Sequence, residues 1–452
     1  MMQPGEQETK LNPSHAACPS DVGCMITLFG FTSKTKIDMI TDNPLHGYAI
    51  SVQYYRPVPS KKGITMSALN KSFRIRHKNK NILMYAGSEI DANILYATKF
   101  FCPDPYIFIR TADGKRHMVM SDLEIDRAKK QSNAHRVHSL TFYTELAKKK
   151  FKKSTPGVPE ILAAILRDFR IRSVVVPESF PLGIAEGIRK YNISVNPLPE
   201  PFYPERIYKK PVEAANIRKA MRATERGIKA AVEALEKCKI KGSYLYYQKK
   251  RLTAETLRNI INTTVLSAGY VPSNTIVAPG KQGCDPHARG SGVSRANEPI
   301  IIDVFPRSES TGYFADITRT VVRGKASEEV KKIYRAVYDG QKLGLDMIKH
   351  GVKARKVHKA IQKLFDSRGY HTGEKDGRQQ GFFHSTGHAL GLEIHEPPRI
   401  AINNITLEKG MVLTVEPGLY YYPVGGVRIE DTILVTRTGI ENLTRFPKFL
   451  EI

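Results

Sequence analysis

Four carboxylates stand inside or at the ends of apolar, strand-like runs in the last third of the chain. They are Asp303 in PIIID, Asp316 in TGYFADITRTVV, Glu416 in MVLTVE and Glu430 in GVRIEDTILV. Burying a charge is costly unless the charge is paired or binds a metal. Four such residues need a shared explanation, and a cluster of cations supplies one.

Three histidines point to the same chemistry. His384, His388 and His395 fall in the glycine-punctuated stretch GFFHSTGHALGLEIHEPP, and a glycine beside His388 predicts a close approach of the backbone to a neighbour. One neutral imidazole with four carboxylates is an oxygen-rich ligand set, which suits Mn(II), Co(II), Fe(II) or Zn(II) better than copper. Five ligands with bridging carboxylates are enough for two ions about 3.5–4 Å apart, which activate a water and polarise a carbonyl together.

Each of these residues alone has a plainer explanation. A single strand carboxylate is usually a salt-bridge or capping partner, and a single histidine is more often structural. Chance explains the complete set poorly, because its members share one chemistry and one kind of context. The hypothesis is therefore a two-metal site with five protein ligands, namely Asp303, Asp316, His388, Glu416 and Glu430.

The chain is long enough for two or three domains. Residues 1–80 show weak apolar periodicity, so they are expected to form a poorly structured basic extension. Strand and helix signals alternate over 81–200, which predicts an α/β domain with a hairpin around Asp113 and Gly114. A segment with five prolines, 196–211, is interpreted as a linker.

The remainder, 201–452, is predicted to be the catalytic domain. Long helices open it, and strands follow; helices at about 326–349 and 353–368 are again followed by strands. Gly426 to Val435 is interpreted as one strand. This order suggests two similar halves that meet at one site, within an α/β (α+β) fold.

The formal charge of +26 is the unusual bulk property, and it raises nucleic acid as a partner. The basic runs KKKFKK and RIRHKNK lack aromatic residues interleaved in a binding pattern, so nucleic-acid binding is not favoured as a main function. No run is apolar enough to span a membrane, and the N-terminus lacks a secretion signal. Five scattered cysteines predict reduced thiols, and the cytoplasm is the expected location.

Several motifs in order resemble the pita-bread metallopeptidases, which include methionine aminopeptidase, aminopeptidase P and prolidase. The resemblance covers about 211–452, and 81–200 resembles the creatinase-type N-terminal domain. The motifs are IIDVFPRSESTGYFADITRT, HSTGHALGLEIHEPP, TVEPGLY and GGVRIEDTILV.

The resemblance implies a role for each ligand. Asp303 would chelate one ion, and Asp316 would bridge both. His388 and Glu416 would bind the other ion, and Glu430 would bridge as well. Glu416 would also act as general base toward the metal-bound water.

The resemblance also gives the site a substrate side. His287, in GCDPHARG, and His395 match the family's substrate-side histidines, which would hold the scissile carbonyl and the developing charge. His384 and Arg428 match positions that orient the ligands.

Thirteen positions separate Asp303 from Asp316, two more than is usual in this family. Because two added residues preserve the alternation of a strand hairpin, both side chains can still face one side. The extra length is predicted to form a longer turn around Arg307 to Ser310.

Within the family, the chain resembles aminopeptidase P and prolidase more than the simple methionine aminopeptidases, which lack the extra N-terminal domain. The implied activity is hydrolysis of an Xaa-Pro bond, either at the N-terminus of a peptide or in a dipeptide, with two divalent ions, chiefly Mn(II). A methionine-aminopeptidase-like activity and a non-catalytic binding protein are the alternatives. Peptides with proline at the second position are the expected partners, and a homodimer is left open.

Overall fold

A computed structural model describes residues 77–452. The predicted extension 1–80 lies outside the described residues, apart from its last four. The first strand begins at Ile82, next to the predicted start of the α/β domain at residue 81.

A six-stranded mixed sheet forms the first part of the described chain. Its order is β4-β3-β2-β1-β5-β6, and only the β1–β2 and β2–β3 pairs are antiparallel. The hairpin predicted around Asp113 and Gly114 is confirmed, since it joins β2 to β3 and Gly114 has a φ of +90°. The strands are β1 (Ile82–Ala86), β2 (Tyr106–Arg110), β3 (Arg116–Met120), β4 (Arg136–Ser139), β5 (Ser173–Pro177) and β6 (Ser194–Leu198).

Five helices accompany this sheet, and side chains alternate between its two faces. Leu83 and Ile107 face a core built with α3, α4 and α5, whereas Met84 and Phe108 face a core that continues into the second part of the chain. The boundary at residue 200 stays a prediction, because this second core crosses it. The helices are α1 (Ala92–Thr98), α2 (Ile125–Gln131), α3 (Leu140–Phe151), α4 (Val158–Asp168) and α5 (Leu182–Arg189).

The proline-rich segment interpreted as a linker is packed into the molecule. It contains the last residues of β6 and a 3₁₀ turn, Pro204–Ile207. Phe202, Tyr203 and Ile207 are buried in it, because its aromatic and apolar side chains outweigh the tendency of prolines to mark an exposed connection.

The first half of the second part has two packed helices followed by a three-stranded sheet, β11-β12-β14. A separate small sheet, β7-β8-β9, lies between the two helices in sequence. The elements are α6 (Pro211–Glu236), β7 (Lys239–Lys241), β8 (Tyr244–Tyr247), β9 (Lys250–Arg251), α7 (Ala254–Leu266), β10 (Tyr270–Val271), β11 (Ile276–Pro279), β12 (Pro299–Val304), β13 (Arg307–Ser308) and β14 (Ile317–Val322).

The second half repeats the order of two helices and then strands, as predicted. Its main sheet has the order β18-β17-β19-β22-β23. The elements are α8 (Glu328–Met347), α9 (Ala354–Ser367), β15 (Gly373–Lys375), β16 (Arg378–Gln380), β17 (Gly387–Ala389), β18 (Glu396–Ile400), β19 (Val412–Val415), β20 (Gly418–Tyr421), β21 (Gly425–Arg428), β22 (Asp431–Val435) and β23 (Ile440–Asn442).

The prediction of one strand over Gly426 to Val435 is wrong. The segment divides into β21, which pairs with β20, and β22, which pairs with β19 in the main sheet. Glu430 lies between these two strands, where the chain passes from one sheet to the other. The mixed α/β architecture is as expected, and no described helix has the length and apolarity needed to cross a membrane.

Candidate metal centre

Asp303 and Asp316 belong to one antiparallel pair of strands. Asp303 lies opposite Thr318 in the β12–β14 register, and Asp316 is two residues before Thr318. Side chains two residues apart share a face of the sheet. The interval of thirteen therefore keeps both carboxylates on one side, and β13, in the connecting loop, pairs with β10.

The second sheet supplies the other three candidate ligands. His388 is in β17, which pairs with β19 at Ala389 and Leu413. Glu416 follows β19 directly, and Glu430 directly precedes β22, the next strand of that sheet. The two sheets thus bring five side chains to one place from widely separated parts of the sequence.

Short distances join these side chains. A ligand atom from each of Asp316, His388 and Glu430 lies within 4.8 Å of the other two. The Nε2 atom of His388 is 3.3 Å from Oε1 of Glu416 and 3.7 Å from Oδ2 of Asp316. Asp303 joins the group electrostatically, because its charge contributes to the raised pKa of Asp316.

The carboxylates are buried with part of their bonding capacity unused. Oδ1 of Asp303, Oδ1 of Asp316 and Oε1 of Glu430 are buried and have no hydrogen-bond partner. A buried polar atom without a partner costs free energy, and several buried anions in contact cost more. Carboxylate oxygens around one imidazole are the donors that hard and borderline divalent cations take, so this donor set fits two such ions.

The protonation equilibria reflect the same crowding. Burial, followed by the neighbouring carboxylates Glu430 and Asp303, raises the pKa of Asp316. Burial, followed by Glu416 and Asp303, raises the pKa of Glu430. Burial raises the pKa of Glu416 to about 7 and lowers that of His388 to about 3, which keeps the imidazole neutral, as a ligand requires.

A chain of hydrogen bonds supports Asp303 from behind. Arg428 donates to Oδ2 of Asp303 at 2.7 Å and to the hydroxyl of Tyr420 at 3.0 Å. The Nε2 atom of His384 lies 3.0 Å from the same hydroxyl. His384 and Arg428 therefore meet through Tyr420, a residue that the sequence analysis missed because a buried phenol has no distinctive local pattern.

Other contacts orient the remaining candidate ligands. Thr318 donates to Glu430 at 2.7 Å, and Thr414 donates to Glu416 at 3.1 Å. The Nδ1 atom of His388 lies 3.2 Å from the carbonyl oxygen of Ala389, so Nε2 is left to face the carboxylates. Thr414 could have been found from the sequence, because it lies in the apolar run MVLTVE, two residues before Glu416.

The two histidines assigned to the substrate side lie at the rim. His395 is exposed, and its ring packs edge-on against that of His388, with centroids 4.4 Å apart. His287 is exposed in the loop after β11, and its charge contributes, after burial and Arg428, to the low pKa of His384, about 3. Both are thus near the carboxylate cluster without being part of it.

Arg399 is a further charged residue at this rim. It lies opposite His388 in the β17–β18 register, so its side chain shares the face of the sheet that carries the histidine. Arg399 is exposed, and no hydrogen bond or ion pair within residues 77–452 engages its guanidinium. The sequence could have pointed to Arg399, because it lies four residues after His395, and residues an even number of positions apart on a strand share a face.

An apolar wall adjoins the site on the side of His384. Half-buried Phe305 and Phe383 pack against the buried cluster that contains Ile301 and Tyr420. The rings of Phe383 and Tyr420 have centroids 5.3 Å apart. The centre therefore has a charged rim on one side and an aromatic one on the other.

A buried ion cluster fixes the loop that carries His395. Glu396 accepts hydrogen bonds from Arg206 at 2.6 Å and Lys209 at 2.8 Å, and both cations come from the segment before α6. Glu396 also accepts from the backbone of Leu392 at 3.0 Å. The packed segment between the two parts of the chain thus holds the residue next to His395.

Comparisons with known proteins agree with this geometry. The sequence profile of metallopeptidase family M24 matches residues 215–437, a range that contains all five candidate ligands. An Xaa-Pro dipeptidase of Pyrococcus horikoshii is 31% identical over 333 residues, which cover 73% of this chain and 83% of that protein. An Xaa-Pro aminopeptidase 1 of Streptomyces coelicolor is 34% identical over 268 residues, which cover 53% of this chain and 52% of that protein.

A solved structure extends the likeness to the fold. The prolidase from Pyrococcus horikoshii OT3 superposes with a TM-score of 0.66 and 26% sequence identity. The match covers 84% of this chain and 98% of that one. The likeness therefore includes the six-stranded N-terminal sheet as well as the part that carries the carboxylates.

Proposed function

The chain belongs to metallopeptidase family M24, and we propose that it is an exopeptidase that hydrolyses the peptide bond before a proline residue. The buried donor set carries the proposal: four carboxylates meet one neutral imidazole, and three of their oxygens have no partner. Such an arrangement lowers stability in the absence of cations. A protein that only bound a partner would have no use for it.

The ligands we propose are the five expected from the sequence, with the roles that the resemblance implies. Asp303 would hold one ion, Asp316 and Glu430 would bridge, and His388 with Glu416 would hold the second. When bound, the two ions activate a water and polarise the scissile carbonyl. The oxygen-rich set suits Mn(II), and Co(II), Zn(II) or Fe(II) are the alternatives.

The remaining roles follow from where the side chains lie. Glu416 is proposed as the general base, because its side chain is the most exposed of those facing His388 and it can reach solvent. His287 and His395 stand at the rim, where they can hold the substrate carbonyl. Arg428, which contacts Asp303, and His384, through Tyr420, keep the ligands in place.

Preference for proline rests on the names of the relatives and on the apolar wall. A proline ring has no amide N–H and presents a flat apolar surface, which the half-buried rings of Phe305 and Phe383 suit. One of the relatives is named a dipeptidase and another an aminopeptidase.

Arg399 favours the dipeptide. An exposed guanidinium without a carboxylate partner, opposite His388, is well placed to pair with a free C-terminal carboxylate. In a dipeptide that carboxylate lies one residue beyond the scissile bond. In a longer peptide an amide would take its place and lose the ionic contact.

A substrate panel tests the proposal. The full chain is freed of metal with a chelator, supplied again with Mn(II), and offered an Xaa-Pro dipeptide, its C-terminal amide, a longer Xaa-Pro peptide and a Met-Ala peptide. Metal-dependent release of the first residue before proline is expected, fastest with the free dipeptide. The variants Glu416→Ala and His388→Ala are expected to stay folded and to lose this turnover.

Two alternatives give different results in the same panel. Cleavage of Met-Ala in preference to every Xaa-Pro substrate would indicate a methionine-aminopeptidase-like enzyme. Absence of metal-dependent turnover with all substrates would indicate a non-catalytic binding protein. The presence of all five candidate ligands argues against the second.

The identity of the metal, the location in the cell and the oligomeric state are also proposals. Metal content of protein isolated from its own cells would check manganese. Cell fractionation would check the cytoplasmic location, and light scattering would show whether the chain forms a homodimer.

A further inference from the structure

The small sheet β7-β8-β9 presents one outward face that the peptidase chemistry does not use. Lys239, Tyr246 and Arg251 lie side by side across the three strands. Lys241 and Tyr244 form the next row, and Arg295 extends it through an isolated bridge to Tyr244. We call these six residues the tyrosine–cation face.

The opposite side of the same strands anchors the sheet to the molecule. Leu245 is fully buried, and Tyr247 packs against the main apolar core. Alternation along β8 therefore sends Tyr244 and Tyr246 outward, where they are half-buried, while the four cations beside them are exposed.

Cations and rings in this face stack on one another. The guanidinium of Arg251 lies 4.3 Å from the ring centroid of Tyr244, and that of Arg295 lies 5.3 Å from it. The ammonium of Lys241 lies 5.5 Å from the ring of Tyr246. Flat guanidinium and phenol groups are thus held in place before any partner arrives.

No acidic residue balances this charge. The segment 237–251 contains six lysines and arginines and no aspartate or glutamate. Among the described residues, no ion pair engages the four cations of the tyrosine–cation face. The face therefore calls for an anionic partner that also offers flat surfaces.

We propose that the tyrosine–cation face binds single-stranded nucleic acid. Aromatic rings and guanidinium planes stack on bases, and flanking lysines neutralise phosphates. Tyr244 and Tyr246 are two residues apart on one strand, about 6.6–6.8 Å, which matches two steps of a stacked strand at about 3.4 Å each. This gives part of the +26 charge a role, and the interleaved pattern of aromatic and basic residues that the runs KKKFKK and RIRHKNK lack is present here.

Two other anionic partners fit less well. A membrane-binding surface combines cations with exposed large apolar side chains that enter the lipid. The six residues of the tyrosine–cation face include no such side chain, since Ile240, which is 42% exposed, pairs with Leu245 on the opposite side of the sheet. An acidic peptide would satisfy the cations but offers few flat groups for the rings. Both partners are arms of the experiment.

Fluorescence anisotropy of the full chain with a labelled oligouridine of about 12 nucleotides tests the proposal. Between about 50 and 200 mM salt, log Kd should rise with log salt with a slope of about 3, roughly 0.7 for each of four neutralised phosphates. Lys239→Ala with Lys241→Ala should lower that slope by about 1.4. Tyr246→Ala should weaken binding roughly tenfold.

The charge-matched control is Lys356→Ala with Lys359→Ala on α9, where both lysines are exposed and unpaired among the described residues. This variant should keep the slope and affinity, and all variants should keep peptidase activity. An equal loss in the control would overturn the proposal, as would absence of binding at about 50 mM salt. Equal or tighter binding of duplex RNA, polyglutamate or phosphatidylserine vesicles would overturn it too.

Discussion

Arg428 donates a 2.7 Å hydrogen bond to Oδ2 of Asp303, although 125 positions separate the two residues in the chain. The bond occupies one oxygen of the carboxylate and leaves Oδ1 buried without a partner. Tyr420 holds the guanidinium from its other side at 3.0 Å. One arginine thus sets which oxygen of Asp303 is offered to a cation.

Replacing this arginine by lysine should weaken metal binding. In Arg428→Lys the charge remains, but a single ammonium cannot reproduce the planar, divided contact to Asp303 and Tyr420. Metal affinity and kcat/KM are expected to fall by about 10–100-fold, as isothermal titration with Mn(II) and dipeptide kinetics would measure. Arg218→Lys, at an exposed pair with Glu441, is the control and should change neither.

Removing a candidate ligand should stabilise the metal-free protein. Burial and neighbouring carboxylates raise the pKa of Asp316, so its ionised form opposes folding at neutral pH. Asp316→Asn is expected to increase the free energy of unfolding in chelator on the order of 1 kcal/mol. The same variant should lose the stabilisation that Mn(II) gives the unmodified chain.

A second buried aspartate provides the contrast. Burial by itself would raise the pKa of Asp431, but the charges of Arg319 and Lys448 outweigh this effect and hold the pKa below its ordinary value. Asp431→Asn should therefore destabilise the protein by about 3–5 kcal/mol. Urea unfolding of both variants in chelator measures the difference, and a loss of stability in Asp316→Asn would contradict the crowded-carboxylate interpretation.

The candidate ligands could be predicted from the sequence more readily than the residues that hold them in place. Carboxylates in apolar strands are visible locally, because each one violates the pattern of its own strand. Arg206 and Lys209 cannot be recognised in this way, because they are buried against Glu396, which lies 190 and 187 positions away. A segment rich in proline looked like a linker because its partners are distant.

Strand breaks were equally hard to predict. Gly426 to Val435 contains no proline and no glycine after Gly426, so no local turn signal separates β21 from β22. The division arises because the two pieces pair with different strands, β20 and β19. Register with distant strands, rather than composition, places Glu430 at the turn.

A glycine beside a candidate ligand yields the next prediction. A Cβ atom on Gly387 would lie 2.0 Å from the carbonyl oxygen of Thr414, a backbone atom of β19 that cannot move alone. The predicted close approach of the backbone beside His388 is thus confirmed. Gly387→Ala should separate β17 from β19, destabilise the protein by about 1–3 kcal/mol and lower turnover.

Gly439→Ala is the matched control, because a Cβ atom there meets no atom within 4 Å. It should leave stability and kinetics unchanged. Thermal unfolding and kcat on an Xaa-Pro dipeptide measure both variants, and wild-type behaviour of Gly387→Ala would show that the two strands have room to adjust.

The buried Glu396 cluster predicts a dependence of stability on pH. Burial raises the pKa of Glu396, but Lys209 and Arg206 outweigh it and lower the pKa to about 2 from its ordinary 4.5. A depressed pKa adds stability that is complete above the unfolded value and is lost as pH falls toward the folded one. Glu396→Gln should thus cost about 3–5 kcal/mol at pH 7, and this deficit should shrink below about pH 4.5.

Glu393→Gln is the control for that experiment. Glu393 also pairs with Arg206, but its side chain is 56% exposed, so its loss should cost no more than about 1 kcal/mol at any pH. Urea unfolding between pH 4 and 7 measures both variants. A deficit in Glu396→Gln that did not change with pH would show that shape, rather than charge, holds the loop beside His395.

Arg399 yields the prediction that separates dipeptides from longer substrates. If its guanidinium pairs with the free carboxylate of Xaa-Pro, Arg399→Met should raise KM for the dipeptide about 10-fold or more, since a charge-assisted bond contributes about 1.5–3 kcal/mol. The C-terminal amide and a longer Xaa-Pro peptide should keep their KM values, because they lack that carboxylate. Arg437→Met tests whether loss of any cation suffices, and it should leave all three substrates unchanged. An equal rise in KM for the amide would mean that Arg399 acts through His388 or Glu416, whose protonation its charge also affects, rather than through the substrate.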